Sequence, residues 1–178
     1  MYQQVLNFWF KDIAPDQWWA VDPAFDALIK ERFLSTLQQA IQGELHTWRH
    51  APQGRLAEVI VLDQFSRNIF RNMPQAFAQD PMALALAQEA VAAAAHEALA
   101  PTECTFLLLP FMHSESRVIH EAAERLFKAF APASNHEFEL KHKAIIDRFG
   151  RYPHRNAILG RASTQEEIDF LKQPGSGF

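Results

Sequence analysis

Charged and imidazole side chains occupy several places where helices would otherwise continue an apolar stripe. Between Pro52 and Asn72 the apolar run is Leu56, Ala57, Val59, Ile60, Val61 and Leu62. Followed at three- and four-residue steps, that stripe reaches Asp63, Arg67 and then Arg71. Asp63 and Arg67 are spaced to pair across one helical turn, with Asn68 beside them. Two readings fit, a partly buried ion pair that fixes helix register and one wall of a polar pocket. A buried charge is costly unless paired, and pairing serves either role.

Two further segments show the same substitution. His142 shares a stripe with Phe138, Ile145 and Phe149, so it points inward among aromatic neighbours, as a satisfied core histidine or as a ligand. Glu115 falls on the stripe of Val118, Ile119 and Ala122, in a first turn behind Ser114, where the helix dipole favours a carboxylate. His113 immediately precedes it, so an imidazole and a carboxylate stand at one helix mouth. His120 shares its face with Arg117 and Glu124 and is expected at the surface.

The densest polar run is Arg148-Phe149-Gly150-Arg151-Tyr152-Pro153-His154-Arg155-Asn156, followed by Arg161. Gly150 and Pro153 turn the backbone sharply, which lets Arg151 and Arg155 converge. Planar guanidiniums suit carboxylate or phosphate, each of which accepts two parallel hydrogen bonds. The same arginines could equally cap helix ends and pair with Asp63 or Glu115. If the segments meet, Arg67, Arg151 and Arg155 would hold an anionic small molecule. Asp63, Asn68, His142, Arg148 and Asn156 would line the site, and His113 or His154 would move a proton, oriented by Glu115 or Asp63.

The elements that must position these groups all read at helical period. Asp22-Pro23 and Asp80-Pro81 are cap-and-proline starts, and Ser134-Asn135-His136-Glu137 and Thr164-Gln165-Glu166-Glu167 have capping-box spacing. Phe25, Leu28, Ile29, Phe33, Leu37 and Ile41 form one stripe ending at Gly43. The Ala-rich helix from Asp80 is expected to end near Ala100, and the one from Thr102 to stop at Leu109 before Pro110. Ser114 is read as the cap of a helix reaching Phe130, with a stripe of Val118, Ile119, Ala122, Leu126 and Phe130. Gly150 is read as a left-handed C-cap. No alternating β-branched run occurs, so the fold class is all-α, a bundle of antiparallel helices forming one domain over residues 1–178.

Composition narrows the function classes. With 17 basic and 21 acidic residues the chain carries −4, which gives no overall attraction to nucleic acid or an anionic membrane surface. Cys104, the single cysteine, sits beside apolar residues and reads as a buried, inert thiol. The start lacks the pattern of a signal peptide, and Gln88, Glu89, His96 and Glu97 interrupt the Ala-rich run, so a cytoplasmic protein without a membrane span is expected. No His-Glu-x-x-His spacing supports a metal and no motif calls for a cofactor. Ser66 and Ser114 lack a nucleophile-elbow setting.

Four segments carry a resemblance. Val5-Leu6-Asn7-Phe8-Trp9-Phe10, Leu62-Asp63-Gln64-Phe65-Ser66-Arg67-Asn68-Ile69-Phe70-Arg71, Pro110-Phe111-Met112-His113-Ser114-Glu115 and the Arg148–Asn156 run resemble the bacterial "domain of unknown function 924" family over essentially the whole chain. The resemblance implies an all-helical, tetratricopeptide-like fold and no particular activity. The family pattern usually has Gln where this chain has His120. A second function follows from fold analogy, a non-catalytic helical scaffold that binds a peptide or partner protein, with Trp18-Trp19 as an available apolar surface.

Overall fold

Some helix ends lie where local sequence signals place them, and others are set by tertiary packing. The structure, a computed structural model, describes residues 1–177. Helix α1 (Tyr2–Asn7) leads into a wide π turn at Phe8–Asp12, and α2 spans Pro23–Ile41. The Asp22 carboxylate caps α2 as expected, accepting from Ala24 N at 2.8 Å and Phe25 N at 3.3 Å. Helix α3 (Pro52–Ile60) continues through a π turn, Val61–Phe65, into α4 (Ser66–Ile69). Helices α5 (Asp80–Ala92), α6 (Pro101–Met112), α7 (Arg117–Phe130), α8 (Ala133–Phe149) and α9 (Gln165–Leu171) complete the order. No strand occurs among the described residues, and none of their helices is long and apolar enough to cross a membrane.

The main core gathers the faces of α1 to α7 around the α3–α4 helix, which is covered by neighbours over its apolar length. Phe8, Trp9, Phe25, Phe33, Phe65 and Phe106 pack ring against ring, with Phe33 and Phe65 centred 4.8 Å apart. Each such side chain, taken wholly out of water, contributes about 1.5–3 kcal/mol. Trp18 and Trp19 both lie against Phe106, and Trp19 stays 58% exposed. A smaller cluster of Ile145, Ile146 and Tyr152, with Phe149 and Phe170, ties α8 to α9. Cys104 is buried, and burial pushes its thiol up from the ordinary range.

Gly54 permits a close crossing inside this core. A Cβ there would stand 2.0 Å from the Trp48 carbonyl oxygen, so only hydrogen fits between α3 and the turn before it. Gly150 ends α8 in the left-handed conformation with φ 71°, as its place after Phe149 suggests. Thr164 caps α9 through its hydroxyl, with Glu167 reaching back to the Thr164 N–H.

Several expectations are corrected. Helix α7 starts at Arg117 with Ser116 at its cap position, not Ser114, and it buries His120, Ala123 and Phe127. Val118 is 72% exposed, Phe130 lies at the surface, and Ile119, Ala122 and Leu126 are only flanking contacts. The helix is rotated because α7 packs on both α6 and α8 and holds a polar residue between them. Helix α8 begins at Ala133 without a capping bond from Ser134, and it buries Glu139 while leaving Phe138 half exposed. Helix α6 runs past Pro110 to Met112, because a proline near the C-terminal end disturbs only the last turn. Helix α5 stops at Ala92, where Ala94 turns left-handed with φ 54°. Leu28, expected in the α2 stripe, lies on its exposed side.

Candidate functional site

Asp63 lies in the π turn of the central helix and is 1% exposed. The turn widens the helix locally, as π turns at functional positions often do, and directs Asp63 and Arg67 toward the start of α5. Arg67 Nη1 donates to Asp63 Oδ1 at 3.0 Å and to the Asp63 carbonyl at 2.9 Å. It also donates to Asp80 Oδ1 at 2.9 Å, while Nη2 reaches Asp80 Oδ2 at 3.0 Å. Gln64 Nε2 donates to the second Asp63 oxygen at 2.6 Å. Burial alone would raise the Asp63 carboxyl, but the Arg67 charge and the His113 and Gln64 hydrogen bonds hold it well below the usual carboxylate range.

His113, at the end of α6, places Nδ1 2.8 Å from Asp63 Oδ1. An ionised carboxylate only accepts, so Nδ1 carries the proton and the neutral ring keeps its lone pair on Nε2. Nε2 has no hydrogen-bond partner among the described residues. Burial and the Arg67 charge lower the His113 pKa, against the opposing pull of Asp63, so the ring is neutral at pH 7. His113 lines an open cleft of about 360 Å³. The start of α5, the end of α6, the turn after Pro74 and residues Arg155 and Leu159 enclose it.

Arg155 is the second unusual group in that cleft. Nη1 donates to Asp80 Oδ2 at 3.1 Å, whereas the buried Nε finds no acceptor. The guanidinium carbon lies 4.6 Å from the centre of the Phe77 ring and 4.7 Å from that of Tyr152. The side chain is 7% exposed. Burial and the neighbouring Arg67 charge lower its pKa, an effect that Asp80 and Glu115 oppose.

Glu115 is also on the cleft and serves as the anchor of the loop that follows α8. It accepts from Tyr152 N at 2.6 Å and takes Arg161 in two bonds of 2.6 and 2.9 Å. Arg161 also donates from Nε to Asn156 Oδ1, and Asn156 donates to Ser163 Oγ. Asn156 is therefore a brace within this loop and does not line the cleft. Burial would raise the Glu115 carboxyl, but these hydrogen bonds and the two guanidiniums lower it below its ordinary value.

The other residues expected at the site are placed elsewhere. Asn68 donates to Asp26 beside Arg71, and this tie holds α4 to α2. Arg148 pairs with Glu166 at the surface. Arg151 makes a two-bond pair with Glu167, so it diverges from Arg155 instead of converging with it. His142 donates from Nδ1 to Phe138 O inside α8, with its ring 5.8 Å from that of Tyr152. His154 lies on the other side of Tyr152, ring centres 5.5 Å apart. Burial brings His142 down to about 3, and burial with the Arg155 charge brings His154 to about 4.

Sequence reasoning missed two parts of the arrangement. Asp80 reads as a helix cap, yet its carboxylate receives Arg67 and Arg155. Only the surplus of inward arginines hints that such a carboxylate must exist. His120, expected at the surface, is wholly buried, with Nδ1 2.7 Å from Glu139 Oε1 and Nε2 2.8 Å from the Ser114 carbonyl. It thereby fixes the backbone between His113 and Glu115. Among the described residues no three His, Cys, Asp or Glu side chains form a group that could hold a metal ion.

The comparisons with known proteins place the chain in a family. The family model for a bacterial protein of unknown function, DUF924, matches residues 5–175. The chain belongs to the DUF924 family. A solved structure of a protein of unknown function from Agrobacterium tumefaciens is similar to this DUF924 protein, with a TM-score of 0.92 and 34% sequence identity. The match covers 96% of each chain. No curated protein matches. The DUF924 relationship thus agrees with the all-helical fold and assigns no reaction to the cleft.

Proposed function

We propose that the cleft between α5, α6 and the loop after α8 is a small-molecule site in which His113 acts as a general base. The observation that carries this reading is the pairing of two incompletely bonded groups on one cleft. His113 is oriented by Asp63 and keeps an unbonded Nε2, and Arg155 is buried with an unused Nε donor. A general base needs a fixed tautomer and a pKa near or below the working pH, and both conditions are supported by the Asp63 contact and the burial of the ring. Arg155 would hold an acceptor group of the ligand, and Asp80 keeps its guanidinium in place.

The role expected for the other arginines is narrower. Arg67 and Arg161 are already committed to carboxylates, so they position neighbours and do not supply a free anion clamp. Ligand-observed NMR on the full chain, screening small organic acids, alcohols, amides and phosphate esters, tests the reading. Ligands that broaden in the presence of the protein, and that His113→Phe or a cleft-filling Leu159→Trp releases, support it. A screen in which no compound responds to the protein would falsify the small-molecule reading.

A further inference from the structure

We infer that the ligand class of this cleft is a small monocarboxylic acid with a short apolar body, and not a phosphate or sulfate ester. The inference rests on the small-molecule reading above and follows from charge, donor geometry and wall chemistry. Asp63, Asp80 and Glu115 oppose Arg67, Arg155 and Arg161, so the cluster carries no surplus positive charge. A dianionic head would face Asp80 and Glu115 on the same cleft without a spare cation to offset it. A single negative charge needs only one incompletely used guanidinium, and Arg155 is that group.

The donor geometry also fits. The rings of Phe77 and Tyr152 border the guanidinium, Nη1 is taken by Asp80 and Nε lies buried, so Nη2 is the donor left toward a ligand. A carboxylate can place one oxygen on that nitrogen in a single charge-assisted bond. The remaining walls come from Pro74, Phe77, Pro81, Leu84, Pro110 and Leu159, which offer hydrocarbon contact and few further hydrogen bonds. The volume of about 360 Å³ is near the low end of ligand pockets, which span roughly 300–1,000 Å³. A carboxylate on a phenyl ring or a short aliphatic chain fits both the walls and the size.

The test compares benzoate and hexanoate with benzamide, phenyl phosphate and inorganic phosphate at equal ionic strength, using saturation-transfer NMR and thermal shift. Benzoate and hexanoate should bind, benzamide should be weaker by about tenfold, and the phosphates should not compete, because the charge-assisted bond to Arg155 is lost or overmatched. Arg155→Met should weaken benzoate by about tenfold or more, while Glu166→Gln at the surface leaves it unchanged. Leu159→Trp, which fills the cleft without touching the ion pairs, covers the case that Arg155→Met does not fold, and it should also abolish binding. Tighter binding of phenyl phosphate than benzoate overturns the carboxylate assignment and leaves the small-molecule reading intact. Failure of every compound class overturns both.

Discussion

His113 and Asp63, fifty positions apart in the chain, meet at 2.8 Å across the end of α6 and the π turn of the central helix. The contact fixes which imidazole nitrogen carries the proton. It also couples the ring to Arg67, and through Arg67 to Asp80.

Asp63→Asn should affect both parts of that chain of contacts. Asp63 raises the His113 pKa, so its removal should move the ring's NMR titration to still lower pH. Arg67 would keep Asp80 but lose its other carboxylate, and breaking a buried ion pair costs about 3–5 kcal/mol. Urea unfolding measures the loss. An unchanged His113 titration would show that the two groups do not interact in solution.

Acid should destabilise the fold before its carboxylates titrate. His142 and His154 have folded pKa values of about 3 and 4, against 6.5 for an unperturbed histidine. The unfolded chain therefore takes up protons first as pH falls. The contribution of these rings is whole above about pH 6.5 and is lost progressively down to about pH 4 for His154 and about pH 3 for His142. Each ring can remove up to about 1.4 kcal/mol per pH unit within that window. Urea midpoints that stay level from about pH 7.5 to about pH 5 would contradict this assignment.

His120 offers a graded test of a buried polar contact. His120→Leu leaves the Glu139 carboxyl and the Ser114 carbonyl without their partner, and should cost about 3–5 kcal/mol. His120→Gln supplies an amide able to donate to one acceptor, and should cost only about 1–2 kcal/mol. The expected order is therefore leucine worse than glutamine. Equal losses in the two variants, read by thermal and urea unfolding, would count against it.

Gly54→Ala should be destabilising although alanine favours helices by about 1 kcal/mol over glycine. The added methyl would meet the Trp48 carbonyl at 2.0 Å, and backbone must move to admit it. A loss of about 2–3 kcal/mol is expected, the scale of an overpacked core. A variant as stable as the parent would show that the crossing is looser than its geometry implies.

The features legible in the sequence are those decided within one or two helical turns. Asp22, Gly150 and Thr164 mark real ends because each satisfies backbone groups next to itself. The inward positions of Asp63, Arg67 and His142 follow from periodicity along a single helix. His120 was illegible because its burial depends on Glu139, which belongs to the following helix. Asp80 looks the same as an ordinary cap until Arg67 and Arg155 are seen to arrive from other elements. Arg151 and Arg155 are separated by the positions of Glu167 and Asp80, and no local spacing specifies which carboxylate each will find.

The π turn at Val61–Phe65 makes the arrangement sensitive to length as well as to chemistry. It accommodates one residue more than a regular spiral would over the same rise. Deleting a single position there would let the helix close up and swing everything after it by about 100°. Arg67 would then turn away from the first residue of α5, and Asn68 and Arg71 away from Asp26. A shortened relative would therefore leave the aspartate that opens α5 to Arg155, without the link to the central helix.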